Sequence, residues 1–413
     1  MADIRPFPGL RPRPELVEQV ASPPYDVLNS DEARQMAAGN PNSFLRVVKA
    51  EVDLPAEVDV HSEQVYERSA ANLRRLIDEG VLVPDPQPCF YVYRLRMGDH
   101  VQHGLVVGAS VDEYEAGTFK KHELTRPEKE DDRARHVERL MANAGPVLAT
   151  YQAVPAVRDK VAAICRAEPI FDFTAKDGVG HSLWVVSEPA EVEALQAAFR
   201  AVPALYIADG HHRSASAFRV CNILRDKNPG HTGDEAYNHF LAVLFPDDEL
   251  AILGYHRVVK DLNGLEPAEF WRRVEEKFEV TETERSEPDR PRCFTCHLDG
   301  KWYRVTARAG TYDADDPVHS LDAAILQDNL LAPVLGIGDP RTDDRIDFVG
   351  GIRGAAELER RCGADARVAF AVHPVSVEQL IAIADAGQIM PPKSTWFEPK
   401  LRSGVVVRSL EDR

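Results

Sequence analysis

The chain has 413 residues, of which 44% are hydrophobic and 28% charged, and a formal net charge of −18. Its length exceeds one ordinary core of ~100–200 residues, so two or three lobes are expected. Broad, sequence-independent nucleic-acid binding is excluded, because it needs a phosphate-neutralising surface, and no apolar run approaches the ~18–20 residues that cross a bilayer. No basic-then-apolar leader opens the sequence, which predicts a cytoplasmic protein with neither nucleic-acid nor membrane partners. A monomer and a homodimer fit the sequence equally.

In chain order, the first 60 residues are rich in proline and short turns. Ser22-Pro-Pro-Tyr-Asp26 is fixed by two prolines, and Ser30 has the chemistry of a helix N-cap. Residues 61–79 carry apolar side chains at helical spacing, and Gly80 closes them. Residues 90–97 and 101–111 alternate as a hairpin about Gly98-Asp99. A helix over 131–144 and a strand over 146–151 follow. Helices at 153–166 and 190–199 flank strands at 171–175 and 182–187. Strands at 240–245 and 250–255 read as a pair around Pro246-Asp-Asp248. A helix at 267–278, a hairpin at 292–307 and helices at 321–331 and 375–386 come next, with strands at 346–349, 367–372 and 405–407. This mixture predicts an α+β fold with mixed sheets rather than a regular βαβ series.

The six cysteines are scattered, and a cytoplasmic setting predicts free thiols. Cys293-Phe-Thr-Cys296-His297 has the spacing of a haem attachment site. It lies inside the alternating 292–307 hairpin, where its two cysteines point to opposite faces. No second Cys-x-x-Cys completes a zinc site.

Three clusters carry chemistry. In the first, the apolar run Ala204-Leu-Tyr-Ile-Ala208 leads into Asp209-Gly210-His211-His212-Arg213 and then a helical pattern. This is a strand, a tight turn at Gly210, and a helix whose first turn holds two imidazoles and a guanidinium. A helix N-terminus presents free N–H groups and partial positive charge, so it receives anions. Asp209 stands where it accepts a proton or holds a metal. An N-cap aspartate with solvated neighbours explains the same residues. The second cluster, residues 120–133, includes His122, Glu123 and Arg133 among many charges. It supplies cations for phosphate oxygens or forms a solvated charged loop. The third, Lys393-Ser394-Thr395 with Lys400, offers ammonium groups and hydroxyls, without the glycines of a P-loop.

Taken together, these residues resemble the ParB/sulfiredoxin-like superfamily in the version found in free serine kinases, within a bacterial branch catalogued as a domain of unknown function. The resemblance rests on Ser22-Pro-Pro-Tyr-Asp26, Asn40-Pro-x-Ser-Phe44, His122-Glu-x-Thr125 with Arg133, Asp209-Gly-His-His-Arg213, and Pro392-Lys-Ser-Thr395 with Pro399-Lys400. It implies an N-terminal lobe over 1–150, a ParB/sulfiredoxin-like core over 151–260, and a C-terminal lobe over 261–413 that contributes the Lys-Ser-Thr loop. Its implied reaction is phosphoryl transfer to the hydroxyl of free L-serine from pyrophosphate, ATP or ADP, with Mg²⁺ as cofactor. Asp209 is the implied general base, with His211 and His212 beside it. Gly210, Arg213, Lys393, Ser394, Thr395 and Lys400 are the implied phosphate ligands. Tyr25, Asp26, His122, Glu123 and Arg133 are assigned to substrate. No metal ligands are assigned. His211 stands where sulfiredoxins carry cysteine, which argues against peroxiredoxin repair. The same donors also suit a nucleotide-binding regulator without turnover, or a small phosphomonoester phosphatase.

Overall fold

A computed structural model describes residues 2–411. The chain forms two compact units, Met1–Leu250 with Pro399–Arg413, and Ala251–Glu398. The architecture is α+β with several sheets.

The first unit is built on a nine-stranded mixed sheet. Its strands are β1 (Ile4–Arg5), β2 (Phe90–Met97), β3 (His100–Ser110), β4 (Phe119–Lys120), β5 (Val147–Tyr151), β6 (Phe171–Thr174), β7 (Gly180–Val186), β8 (Leu205–Asp209) and β9 (His239–Pro246). The order is β4-β8-β5-β9-β3-β2-β7-β6, with β1 beside β3. Only the β8–β4 and β9–β5 pairings are parallel. Strands β5 and β9 read as continuous apolar runs, and every residue in them is buried. That is what two covered faces require. The expected lobe boundary at residue 150 falls inside β5, which pairs with β8 and β9, so residues on both sides of that boundary share one sheet.

Five helices matter here: α1 (Glu63–Asp78), α2 (Pro127–Leu140), α3 (Pro155–Ile164), α4 (Pro189–Phe199) and α5 (His211–Lys227). Helices α2, α3 and α4 all begin with proline at the first turn, where its missing N–H costs nothing. Leu195, Phe199 and Val220 join Val92, Val107, Ala149, Ile207 and Leu244 of the sheet in one core. A second core gathers Leu10, Val20, Phe44, Leu45, Leu73, Leu76 and Val407. Near the N-terminus the helix cap is Asn29 rather than Ser30. The Asn29 side chain accepts from the Glu32 N–H, and the Glu32 carboxylate accepts from the Asn29 N–H.

The C-terminal segment returns to the first unit. Ser22 and Ser403 exchange backbone hydrogen bonds at 3.1 and 2.8 Å, and Leu10 and Val407 do so at 2.9 and 2.8 Å. Residues 405–407 therefore make one isolated bridge rather than the expected strand, and Arg408–Ser409 pairs with Ala142–Asn143. Gly404 (φ 84°) turns the segment against Phe44, whose ring carbons would stand 2.6–2.9 Å from any added Cβ. Arg402 donates to His181 Nε2 at 3.4 Å and pairs with Asp177. With Nε2 accepting, the His181 proton sits on Nδ1 and reaches the Tyr93 hydroxyl at 2.7 Å.

The second unit carries a six-stranded antiparallel sheet. Its order is Phe278–Thr283, Lys301–Ala307, Cys293–Leu298, Val368–Ala371, Tyr255–Val259, Ile346–Gly350. The expected pairing of 240–245 with 250–255 does not form. Ala251–Leu253 pairs instead with Trp396–Glu398, and Tyr255 opens the second sheet. Asp247–Glu249 forms a 3-10 turn, so the chain leaves the first sheet rather than folding back along it. The expected helix at 321–331 is α-helical over Asp322–Leu326 and continues as a π-helix over Gln327–Leu331. Cys293 and Cys296 are both buried, and all six cysteines are free thiols.

Two histidines of the first unit generate a stability prediction. His136 Nε2 lies 3.0 Å from both the Val47 carbonyl and Ser69 Oγ. Burial pulls its pKa down to about 4, and that of His181 down to about 3. An unfolded histidine titrates near 6.5. As pH falls below 6.5 the unfolded chain takes up protons that the folded chain refuses, so stability is full above that value and lost below it. A shift to 4 corresponds to about 3 kcal/mol once the fall is complete. The urea midpoint is predicted to drop between pH 7 and pH 5, above the carboxylate range. An unchanged midpoint over that interval would contradict buried, neutral imidazoles.

Candidate functional site

The site is assembled at the junction of β8 and α5. The β8–β5 register shifts between Ile207 and Asp209. Such a bulge re-aims the side chain that follows it, here Asp209. Gly210 then takes φ 101°, and a Cβ there would stand 3.0 Å from the Arg213 guanidinium carbon. Only glycine adopts that backbone without strain. Helix α5 runs 17 residues from His211 with no side-chain cap, and an uncapped helix N-terminus of this kind is suited to anions.

Three segments converge on Asp209. Arg213 Nη2 lies 3.4 Å from Asp209 Oδ2 and 3.5 Å from Asp26 Oδ2, and its Nη1 donates to the Pro146 carbonyl. Lys400, delivered by the C-terminal segment, donates to the same Asp209 Oδ2 at 3.3 Å. Both cations meet the same carboxylate oxygen. Burial alone would push the Asp209 pKa up. Lys400 and Arg213 overcome it and hold the carboxyl well below the usual carboxylate range. The Arg213 Nε is buried without a partner.

The imidazoles differ in their partners. His212 Nε2 accepts from the Arg126 N–H at 3.1 Å, which places its proton on Nδ1 and ties α5 to the start of α2. His211 and His122 are 6% and 1% exposed, with ring centroids 4.5 Å apart and planes at 88°. Burial drives His211 well below its ordinary pKa and takes His122 down to about 4, so both are neutral. One ligand atom each from His122, Glu123 and His211 lies within 4.8 Å of the others.

Tyr25, Arg133 and Arg213 line a cavity of about 30 Å³ with His136, Asn143 and Gly145. That is room for about one water. The Arg133 guanidinium stacks 4.2 Å over the Tyr25 ring and pairs with Asp132 at 2.6 Å. Burial and the neighbouring Asp26 carry the Tyr25 hydroxyl up to about 12. Asp132 escaped the sequence reading. Its Oδ1 accepts from the Tyr66 hydroxyl at 2.7 Å and from His61 Nδ1 at 2.9 Å. Burial opposes its ionisation, but Arg133 and these donors bring its pKa down to about 2. The signal was its place beside Arg133 in the charged run. The Pro146 carbonyl and the Arg126 N–H, both backbone groups, left none.

The first unit thus brings together Tyr25, Asp26, His122, Glu123, Arg133, Asp209, Gly210, His211, His212, Arg213 and Lys400. Lys393, Ser394 and Thr395 belong to the second unit. There Lys393 adopts φ 57° with its ammonium 5.4 Å from the Tyr255 ring centre. The Ser394 hydroxyl donates to the Pro391 carbonyl at 2.7 Å.

Among solved structures, the chain is similar to a free serine kinase in complex with AMP, at 14% identity and a TM-score of 0.37, over 71% of this chain and 86% of that one. A conserved hypothetical protein from Pyrococcus furiosus matches at 14% identity and a TM-score of 0.35, over 72% of this chain and 93% of that one. SbnI with a C-terminal truncation, from Staphylococcus aureus, matches at 12% identity and a TM-score of 0.37, over 71% and 82%. No curated protein sequence matches. No helix among the described residues is long and apolar enough to cross a membrane. The model of the family described as "Protein of unknown function (DUF1015)" matches residues 4–324, and the chain belongs to that family.

Proposed function

We propose that the chain is a phosphotransferase that moves a phosphoryl group from pyrophosphate or a nucleotide to the hydroxyl of free L-serine. The observation that carries the reading is the ionised Asp209 set between Lys400 and Arg213 at the open N-terminus of α5. Carboxylate, cations and free helix N–H groups together are what in-line phosphoryl transfer requires, because it depends on positioning and charge stabilisation. The choice of serine follows the family resemblance in the sequence, and so does the ParB/sulfiredoxin-like character of the turn.

In this reading the serine hydroxyl approaches the Asp209 carboxylate. Its oxygen forms the new bond to phosphorus, the bond to the donor's leaving phosphate breaks, and the hydroxyl proton passes to Asp209. An unliganded Asp209 is a weak base, since its pKa is depressed. Donor phosphate at Lys400 and Arg213 offsets their charge, which raises the Asp209 pKa toward its ordinary value when the proton must move. His212 Nδ1–H and the first N–H groups of α5 hold the transferring oxygens, with His211 beside them. Mg²⁺ would neutralise donor charge, and the Asp26 carboxylate offers the kind of oxygen ligand it prefers.

Phosphorus NMR with L-serine, Mg²⁺ and, separately, pyrophosphate, ATP and ADP is expected to show O-phosphoserine with one donor. Asp209→Asn is expected to lower kcat by ~10²–10⁴-fold. Full activity in that variant would remove Asp209 from the reaction. Phosphate release without phosphoserine would favour a phosphatase.

Lys400→Ala gives a second test. Without the ammonium, the Asp209 pKa rises, so the acidic limb of the kcat/KM profile is expected to move to higher pH. A limb that stays in place would show that Lys400 does not hold the carboxylate.

A further inference from the structure

We propose that His122, Glu123 and His211 form a binding site for a divalent transition-metal ion of the zinc or iron class. The inference does not depend on the phosphoryl-transfer reading. It rests on donor chemistry and on what the fold does with three buried ring nitrogens.

The three residues come from two parts of the chain. His122 and Glu123 follow β4, and His211 is the first residue of α5. The β8–β4 pairing, with Leu205 opposite Phe119 and Tyr206 opposite Lys120, carries the two stretches side by side. One ligand atom from each residue then lies within 4.8 Å of the other two. Ligands bound at ~2.0–2.2 Å around one ion are separated by no more than about twice that length, so a small closure of the group suffices.

His122 Nδ1, His122 Nε2 and His211 Nε2 are buried and have no hydrogen-bond partner. The Ile207 backbone lies beside the His122 ring and engages one of its nitrogens weakly at most, so at least one nitrogen on each ring is left for a ligand. Each such nitrogen costs about 1–3 kcal/mol relative to one that is satisfied. Native structures keep few of them, and each calls for an explanation. A metal ion satisfies one nitrogen on each ring at once. The edge-to-face arrangement of the rings, with planes at 88°, keeps them from stacking flat and lets both turn a nitrogen toward a shared point.

Ligand identity separates this site from a magnesium site. Mg²⁺ takes oxygen ligands in near-ideal octahedra, whereas imidazole suits zinc, copper, iron and nickel. Two histidines and one carboxylate occupy one side of an ion and leave coordination positions open. Because His211 opens α5, the ion would lie beside a helix N-terminus, where anions are favoured. The proposal moves His211 from direct phosphoryl contact to metal ligation.

The test uses the full chain, stripped with chelator and titrated with Co²⁺ and with Zn²⁺. Bound metal is read by elemental analysis after desalting and by the visible absorption of Co²⁺. One equivalent per chain is expected. Affinity should fall at least ~10-fold in Glu123→Gln, and further in His122→Ala, with unchanged circular dichroism. Glu123 is only partly buried, so Glu123→Gln keeps the test interpretable if the histidine variant fails to fold. Co²⁺ binding equal in wild type and Glu123→Gln would overturn the proposal, as would displacement of Co²⁺ by equimolar Mg²⁺. Metal bound without phosphoserine formation would leave this site standing and remove the kinase reading. Phosphoserine formation with Mg²⁺ alone, in a chain that binds no Co²⁺, would do the reverse.

Discussion

The carboxylate of Asp209 and the two cations that hold it are the constraint from which the site follows. A partly buried carboxylate is unfavourable unless it is paired, and here the partners come from two places in the chain. Arg213 is one helical turn away on α5, and Lys400 arrives 191 residues later on the returning C-terminal segment. The backbone bridges at Ser22–Ser403 and Leu10–Val407 therefore have an electrostatic consequence. They fix where Lys400 stands, and so keep Asp209 ionised.

The same bridges explain how the proline-rich start of the chain enters the site. Ser22 lies beside Ser403, and the next turn places Asp26 within 3.5 Å of Arg213 and Tyr25 beneath Arg133. Asp132 fastens Arg133 on the other side, and Tyr66 and His61 fasten Asp132. The result is a relay of alternating charges, Asp132, Arg133 over Tyr25, then Asp26, Arg213, Asp209 and Lys400. The three cations of this relay balance its three carboxylates, so inside a chain of net charge −18 the site is a locally neutral patch, less repulsive to an anionic ligand than the rest of the surface.

The strand–turn–helix at Asp209 was legible because three local signals agreed: an apolar run, a glycine at the turn, and a helical pattern directly after it. The hairpins at 90–110 and 292–307 were legible through alternation and their Gly-Asp or Asp-Gly turns. The pairing of Leu253 with Trp396, rather than with the preceding strand, was not legible. Apolar runs show that a strand forms without naming its partner, and the partner lies more than 140 residues away. The lobe boundary at 150 failed for a related reason. Composition does not change there, because one sheet draws strands from both sides. Lys400 was selected from the sequence together with Lys393, Ser394 and Thr395 as one cluster, but the two units divide between Glu398 and Pro399. Asp132 was overlooked because a carboxylate in a charged run looks solvated until Tyr66 and His61 are seen to cover it.

The central claim is that this turn is an anion site set by Lys400 and Arg213. Calorimetric titration of pyrophosphate, at constant ionic strength, tests it most directly. The account predicts saturable binding of one pyrophosphate per chain, weakened at least ~10-fold in Lys400→Ala by loss of a charge-assisted contact. Absence of saturable binding, or equal affinity in wild type and variant, would contradict it.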